Sequence, residues 1–411
     1  MSAYKRWAPC LLAGAAASLL MVATVAAQES PSEEEDTEEP STDPLPEDTA
    51  DDQTPEDEPE LPPTDQEQPE QMPTEPPQQK PEGNAGFEYE DLCSDTKPAL
   101  YKGDCKTLQD GYRPYTPKFS LWADGEKKER FVRLPGDVNA SDANHWVFPA
   151  GTVFYKTFMS TAGQRFETRI IKKGSGGDWS FATWGWKSDG SAQSEIIDND
   201  RKNWQSTGHN IPTDKNCLEC HRAANAAPLE PILGFTAIQL NHQGTVINDD
   251  GNEVDASPSE TLSSLSLSNL EATAKIPGDE IAQKALGYMN ANCAHCHGGA
   301  NPAAFSLDLS IPIGLTKVED SPAWKTAVCQ DLETFFPPRA PANMTKRIDK
   351  DQQQQLGAVV WRMNRRDDPN AVPKQNTQMP RLATTKVHAA GVRMVSSWVE
   401  TLDACTPPTA P

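Results

Sequence analysis

The chain has 411 residues and a formal net charge of -23, with 36% hydrophobic and 24% charged residues. The charge is unevenly spread: 21 Asp and Glu stand against Lys80 alone between Gln28 and Ala85, while from Gly86 onward 34 basic residues nearly balance 39 acidic ones. That distribution excludes a basic nucleic-acid footprint, so no nucleic acid is expected as a partner, and the length allows two or three domains.

Residues 1–27 have the layout of a signal peptide. Lys5 and Arg6 form a positive start, an apolar stretch runs from Trp7 to Val25, and Val25-Ala26-Ala27 offers small residues for cleavage before Gln28. An uncleaved signal would instead anchor the chain in a membrane, because roughly 20 apolar residues can span a bilayer. Either way the remainder is expected outside the cytoplasm, periplasmic or extracellular. Residues 28–85 are rich in Pro, Glu, Asp, Gln and Thr and contain no aromatic residue. Such a segment cannot bury enough apolar surface to offset its chain entropy, so a disordered, extended acidic linker is expected.

Residues 86–250 read as a β-rich domain. Six of the ten Trp lie between Trp122 and Trp204. Short alternating runs recur at Phe131–Leu134, Val153–Phe158, Phe166–Ile171 and Trp179–Trp184, separated by Gly, Asn and Asp. Residues 251–411 change period. Ile281, Leu286 and Met289 sit at helical spacing, as do Leu356, Val359, Val360 and Met363, and Val392, Val395, Trp398, Val399 and Leu402. The expected fold class is therefore α+β, a β-rich first domain followed by an α-helical one, with residues 223–277 linking them.

Each of these domains carries one C-x-x-C-H motif: Cys217-Leu218-Glu219-Cys220-His221 and Cys293-Ala294-His295-Cys296-His297. Two thiols at this spacing can add to the two vinyl groups on one edge of haem, and the next residue places an imidazole under the iron. Two covalently attached haem c groups are thus expected, bound through Cys217 and Cys220 and through Cys293 and Cys296, with His221 and His297 on the metal. A redox C-x-x-C needs no following His, and the βαβ context of a thioredoxin-like motif is absent. A zinc site would need further Cys or His at partner spacing, and none follows either motif. Cys93, Cys105, Cys329 and Cys405 remain outside the motifs and the signal; they are expected as structural disulfides, for which sequence alone permits three pairings, Cys93 with Cys105 and Cys329 with Cys405 being preferred.

The second axial ligand decides what each haem does. For the second haem the candidates are Met289, Met344, Met363, Met379 and Met394. Met363 and Met394 lie on helical apolar faces and read as core. Met379 precedes Pro380 in the loop 375–382, where a Met on a Pro-stiffened loop is well placed to reach an iron or, as equally read, fills a gap. For the first haem's far side, His209, His242, Met289 and Lys156 are candidates, and a five-coordinate iron stays open. His209 also reads as a surface residue in its loop, and His145, just before a strand, as a structural one.

Two resemblances add to this reading. From about Cys93 onward the chain resembles a family of proteobacterial two-haem c-type cytochromes, on the phrases SLWADGEKKERFVRLP, WVFPAGTVFYKTF, ETRII, NCLECH, LGFTAIQLN, NANCAHCH and QMPRL. Its second half resembles a small cytochrome c domain, in which a Met-Pro pair before the closing helix supplies the distal ligand; this likeness implies Met379 opposite His297. Residues from about Tyr112 to His221 resemble the β-sheet cytochromes related to cytochrome c′-β, on Phe148-Pro149-Ala150-Gly151-Thr152-Val153-Phe154-Tyr155-Lys156 and the Trp-rich run before Cys217. Hydroxylamine-oxidising relatives carry a Lys in this Gly-Thr-Val motif that is cross-linked to haem. Lys156 matches it, although the Glu that follows in that pattern is Thr157 here. Strand alternation puts Phe154, Lys156 and Phe158 on one face, which makes Lys156 a catalytic candidate near the first haem; its other reading is a strand residue with a solvated ammonium.

The leading expectation is electron transfer between periplasmic or surface redox partner proteins. The rival is a haem enzyme or small-gas sensor, with chemistry at the first haem and the second as its electron port. A binding or assembly protein with structural haem is a third class, supported only by the acidic linker.

Overall fold

Alternating side chains and short turns build the main sheet. The computed structural model describes residues 91–212, 214–221, 230–298, 306–332, 341, 343–352, 355–368 and 377–405; the expected signal and acidic linker lie outside the described residues. Six strands form an antiparallel meander: β1 (Arg113–Pro114), β2 (Lys127–Arg133), β3 (Val153–Met159), β4 (Arg165–Lys173), β5 (Trp179–Trp186) and β6 (Gln193–Ile196). Each strand pairs with the next in sequence. The β3–β4 and β4–β5 turns place Gly163 and Gly177 at φ 88° and 94°, where an L side chain would be strained. The four alternating runs of the sequence are β2 to β5.

Both faces of the central strands are covered. Val153 and Tyr155 of β3 point to one face, against Tyr101, Tyr112, Ile170 and Trp186. Phe154 points to the other, against Tyr115, Val132, Phe148 and Phe235. The Cys93–Cys105 disulfide closes a loop within the segment that covers the first face.

Helices and turns follow. They are α1 (Asp214–His221), α2 (Ala237–Leu240), the hairpin β7 (Thr245–Ile247) and β8 (Glu253–Asp255), α3 (Glu280–Asn292), α4 (Pro322–Ala327), α5 (Ala358–Met363) and α6 (Ala389–Thr401). The coarse α+β class therefore holds. The three predicted helices are α3, α5 and α6, although Ile281 faces solvent. Helix is sparser here than the periodicity suggests, because turns and a hairpin fill much of the sequence between these elements.

Asp279 caps α3 by accepting from the Ala282 N–H. Helices α3 and α6 pack through Leu286, Met289, Val395, Trp398 and Val399. The Cys329–Cys405 disulfide, spanning 76 residues, ties the end of α6 to the chain beyond α4. Both disulfides match the expected pairing.

Residues 119–124, just before β2, join the sheet to these helices. The Phe119 ring fills the space above Gly287 of α3, where a Cβ would come within 2.2 Å of it. Trp122 N–H donates to Asn292 Oδ1 (2.8 Å), and Asn292 Nδ2 donates back to the Ser120 carbonyl (3.0 Å). The Trp122 ring stacks on His388 at 4.0 Å. Asp124 accepts from the N–H groups of Thr385 and Lys386 at 2.7 and 3.0 Å. The described residues form one compact unit. Among the described residues, no helix is long and apolar enough to cross a membrane.

The closest approach of α3 and α6 is at Gly391, where a Cβ would lie 2.3 Å from Tyr288 Cζ. Gly391→Val should therefore destabilise the chain by about 1–3 kcal/mol through overpacking. Urea unfolding checks this: the midpoint should fall, and an unchanged midpoint would contradict the close crossing.

Candidate functional site

The first motif sits on α1, which packs on β5. Its spacing puts Cys217, Cys220 and His221 within one turn. The His221 ring lies 5.6 Å from that of Phe181, and its Nδ1–H donates to the Pro231 carbonyl at 2.5 Å. That bond fixes the tautomer and leaves the Nε2 lone pair for a metal. Burial lowers the His221 pKa to about 4, aided by the charges of Lys156, His295 and Arg169 and opposed by the Pro231 bond. The ring is thus neutral at pH 7.

Pro231 is itself held in place. The neighbouring Glu230 carboxylate accepts from the Lys173 ammonium, the Trp179 indole N–H and, at 3.4 Å, the Phe148 amide. This anchor connects the acceptor of His221 to β4 and β5.

The second motif follows α3 in a tight turn. Cys296 and His297 N–H groups both donate to the Cys293 carbonyl, at 3.0 and 2.8 Å, and the His297 carbonyl accepts from Leu309 N–H at 2.6 Å. Burial pushes the Cys293 thiol up to about 12. Cys217, Cys220, Cys293 and Cys296 all stay out of the two disulfides.

The two motifs meet. One donor atom each from Cys220, His295 and Cys296 lie within 4.8 Å of one another. Contact with Cys296 and then burial push the Cys220 thiol up to about 12, while the same contact holds Cys296 below the usual thiol range. Sequence spacing had argued against zinc because neither motif is followed by further ligands. The tertiary structure supplies them by making each motif the other's partner.

The Met379 loop lies beside this junction. Arg381 pairs with Glu219 of the first motif at 3.6 Å, and its charge also favours the Cys296 thiolate. Met379 N–H donates to the Arg362 carbonyl at 3.0 Å, and Arg366 Nη1 donates to the Met379 carbonyl at 3.2 Å. Gln378 Nε2 holds the loop from within, donating to the carbonyls of Pro380, Arg381 and Thr384. Of the other methionines, Met289 and Met363 belong to the α3–α6 core, Met394 packs against its edge, and Met344 packs with Trp361.

Lys156 breaks an otherwise buried strand. Its amine sits 4.6 Å from the Phe158 ring centroid, and its face of the sheet is turned toward the first motif, where its charge bears on His221. Burial, followed by the charges of Arg130, Arg169 and Lys128, holds the amine well below the usual lysine range.

His209 is a buried bridge, contrary to its reading as a surface residue. Nδ1 meets Glu126 Oε1 at 2.5 Å and Nε2 meets Glu167 Oε1 at 3.0 Å. Phe166 stacks on the ring at 5.1 Å. With both nitrogens on carboxylates, His209 does not present a lone pair to a metal. Glu167 is in turn gripped by the Arg169 guanidinium at 2.7 and 3.3 Å. His242 is buried and accepts from Gly244 N–H at Nδ1, whereas His145 is exposed and pairs with Asp142. Sequence reasoning missed the Glu126–His209–Glu167–Arg169 cluster and the Glu230 anchor. Alternation alone puts Glu167 and Arg169 on one face, but nothing local points to His209 or Glu230.

A surface cleft of about 420 Å³ opens by the opposite face of the sheet, lined among others by Lys127, Glu129, Met159 and Arg165. It includes no residue of either motif.

Burial opposes a charge on His209, but its bonds to Glu126 and Glu167 outweigh this and push the pKa up to about 9. A folded pKa above the unfolded value of about 6.5 gives stability that is fully present below pH 6.5 and lost as pH rises through about 9. His209→Gln should cost on the order of 3 kcal/mol at pH 6 and far less at pH 10. Urea titrations at the two pH values measure the difference, and an equal cost at both would show that the ring is not a charged bridge.

Compared with known protein families, curated proteins and solved structures, the chain matches none of them.

Proposed function

We propose that the chain is an exported dihaem c-type cytochrome that transfers electrons between periplasmic or surface redox proteins. One observation carries the reading: the thiols of Cys220 and Cys296, one from each C-x-x-C-H motif, meet within 4.8 Å. A relay needs its two centres close, and attachment at these thiols ties both groups to the same small region of protein. The donor chemistry fits. Four cysteines stay outside the disulfides, and His221 is neutral with Nδ1–H committed to a carbonyl. Haem, when bound, supplies a one-electron centre at iron. The chain's own residues orient the His221 imidazole, keep it unprotonated and fix the attachment points. In this reading residues 86–250 are the β-rich first haem domain and residues 251–411 the cytochrome c-like second one. His297 and Met379 would hold the second haem's iron, and the Arg381–Glu219 pair supports placing the Met379 loop at the junction.

A second reading has its own support. Cys220, His295 and Cys296 form a two-sulfur, one-nitrogen set suited to Zn²⁺ or Cu⁺. Intact-mass and metal analysis of the exported protein decides between the two. Two covalent haems per chain are expected, and replacing His221 or His297 should perturb one haem each; zinc with no haem would overturn the electron-transfer reading. A reduced-minus-oxidised spectrum under carbon monoxide then separates a relay, with two low-spin haems, from an enzyme or gas sensor with one gas-reactive haem.

Met379→Ala should turn the second haem high-spin and lower its midpoint potential, because a thioether favours ferrous iron. A retained low-spin spectrum and potential would assign the position to another residue, with Met344 next to replace.

A further inference from the structure

Three cations stand in one row on the sheet face that carries Lys156. Register pairs Arg130 of β2 with Lys156 of β3, and Lys156 with Arg169 of β4. Side chains directly opposite one another on neighbouring strands share a face, and like charges so placed repel. The row is partly removed from water, with Lys156 and Arg169 half-buried. Arg130 is buried, and the Lys156 amine and Arg169 guanidinium sit 4.6 and 4.5 Å from the centroid of the same Phe158 ring. Such an array is costly unless an opposite charge completes it.

Part of that compensation is present. Arg169 is gripped by Glu167, and Glu167 and Glu126 share the His209 imidazolium, so this cluster carries two positive and two negative charges. Lys128, on the same face, pairs with Asp249 at 3.1 Å. Arg130 and Lys156 are left over: among the described residues neither has a carboxylate within salt-bridge range. The row also faces the first motif: Phe181, on the same face of β5 and two residues from the Thr183 that pairs with Arg169, lies 5.6 Å from the His221 ring.

We propose that Arg130, Lys156 and Arg169 form a binding site for a carboxylate or other small oxyanion beside His221. A guanidinium offers a planar fork of donors and an ammonium a compact charge, a combination suited to a planar or tetrahedral anion. Two sources carry this chemistry. One is the pair of propionates on a haem attached at Cys217 and Cys220, which rests on the reading of His221 given above. The other is a free oxyanion arriving at that group's open side.

The test uses the exported holoprotein and the variants Arg130→Gln and Lys156→Met. Each removes a cation with no carboxylate partner, so folding should survive; circular dichroism and haem content check it, and Arg130→Lys keeps the charge. A free-anion site predicts a saturable change in the first haem's spectrum on adding inorganic phosphate or acetate. Binding should weaken at least about tenfold in both variants and recover in part in Arg130→Lys. A propionate site predicts no such effect in the unaltered protein, but a shift of the first haem's propionate bending band in resonance Raman in both variants, with the second haem's band unmoved. The proposal is overturned if neither anion acts on the unaltered protein and neither variant moves that band. A chain exported without haem sinks the electron-transfer reading instead, and calorimetry with phosphate and acetate then decides whether the row binds an anion.

Discussion

The contact of residues 119–124 with α3 and α6 is the constraint on which the rest of the arrangement depends. It combines an aromatic ring pressed on a glycine, reciprocal hydrogen bonds with Asn292, a Trp122–His388 stack and a carboxylate that caps two amides. These parts are mutually supporting, with Phe119, Asn292 and His388 buried among them, so the joint resists sliding. The first motif is fixed to β5 on the sheet side. The second hangs from the end of α3, which the joint grips at Gly287 and Asn292. This short segment ties together the two supports from which Cys220 and Cys296 meet.

Charge is handled on the sheet face by local neutralisation at one end and concentration in the middle. Glu126, His209, Glu167 and Arg169 form a closed cluster in which each buried group finds an opposite partner. Toward the other end the face turns apolar at Val132, Phe154 and Ile171. Lys156 lies between these regimes, and the whole row is turned toward His221. Electrostatics thus works on the imidazole from the sheet while the Pro231 carbonyl works on it from the other ring nitrogen. The two act in opposite directions on its protonation, and burial settles the balance in favour of the neutral ring.

Much of the fold is legible in the sequence because its signals are local. Alternation gives β2 to β5, helical spacing gives α3, α5 and α6, and of the three possible disulfide pairings the preferred one is formed. What fails is long-range. His209 lies in a polar loop and reads as exposed, yet its two carboxylate partners come from before β2 and from β4, and no spacing rule connects them. The same limit hides Glu230, whose partners are distributed over β4, β5 and the segment at Phe148. Zinc looked excluded for the same reason: ligand spacing was sought within each motif, whereas the chain brings the two motifs together. Lys156 is the instructive intermediate case. Alternation assigns its face correctly, but only the folded sheet shows that Arg130 and Arg169 flank it.

The cysteine arrangement has a consequence for how the chain must mature. Closing Cys93–Cys105 and Cys329–Cys405 requires oxidising surroundings. In the same surroundings the thiols of Cys220 and Cys296 lie only a few ångströms apart, and thiolate attack on a disulfide sulfur reshuffles neighbouring bonds. The depressed pKa of Cys296 makes it the readier nucleophile of the two. Mispairing between the motifs is therefore a standing hazard that deepens as the fold becomes more native. Keeping Cys220 and Cys296 out of disulfides has to outrun it, which sets the two oxidation states of one polypeptide in a kinetic race.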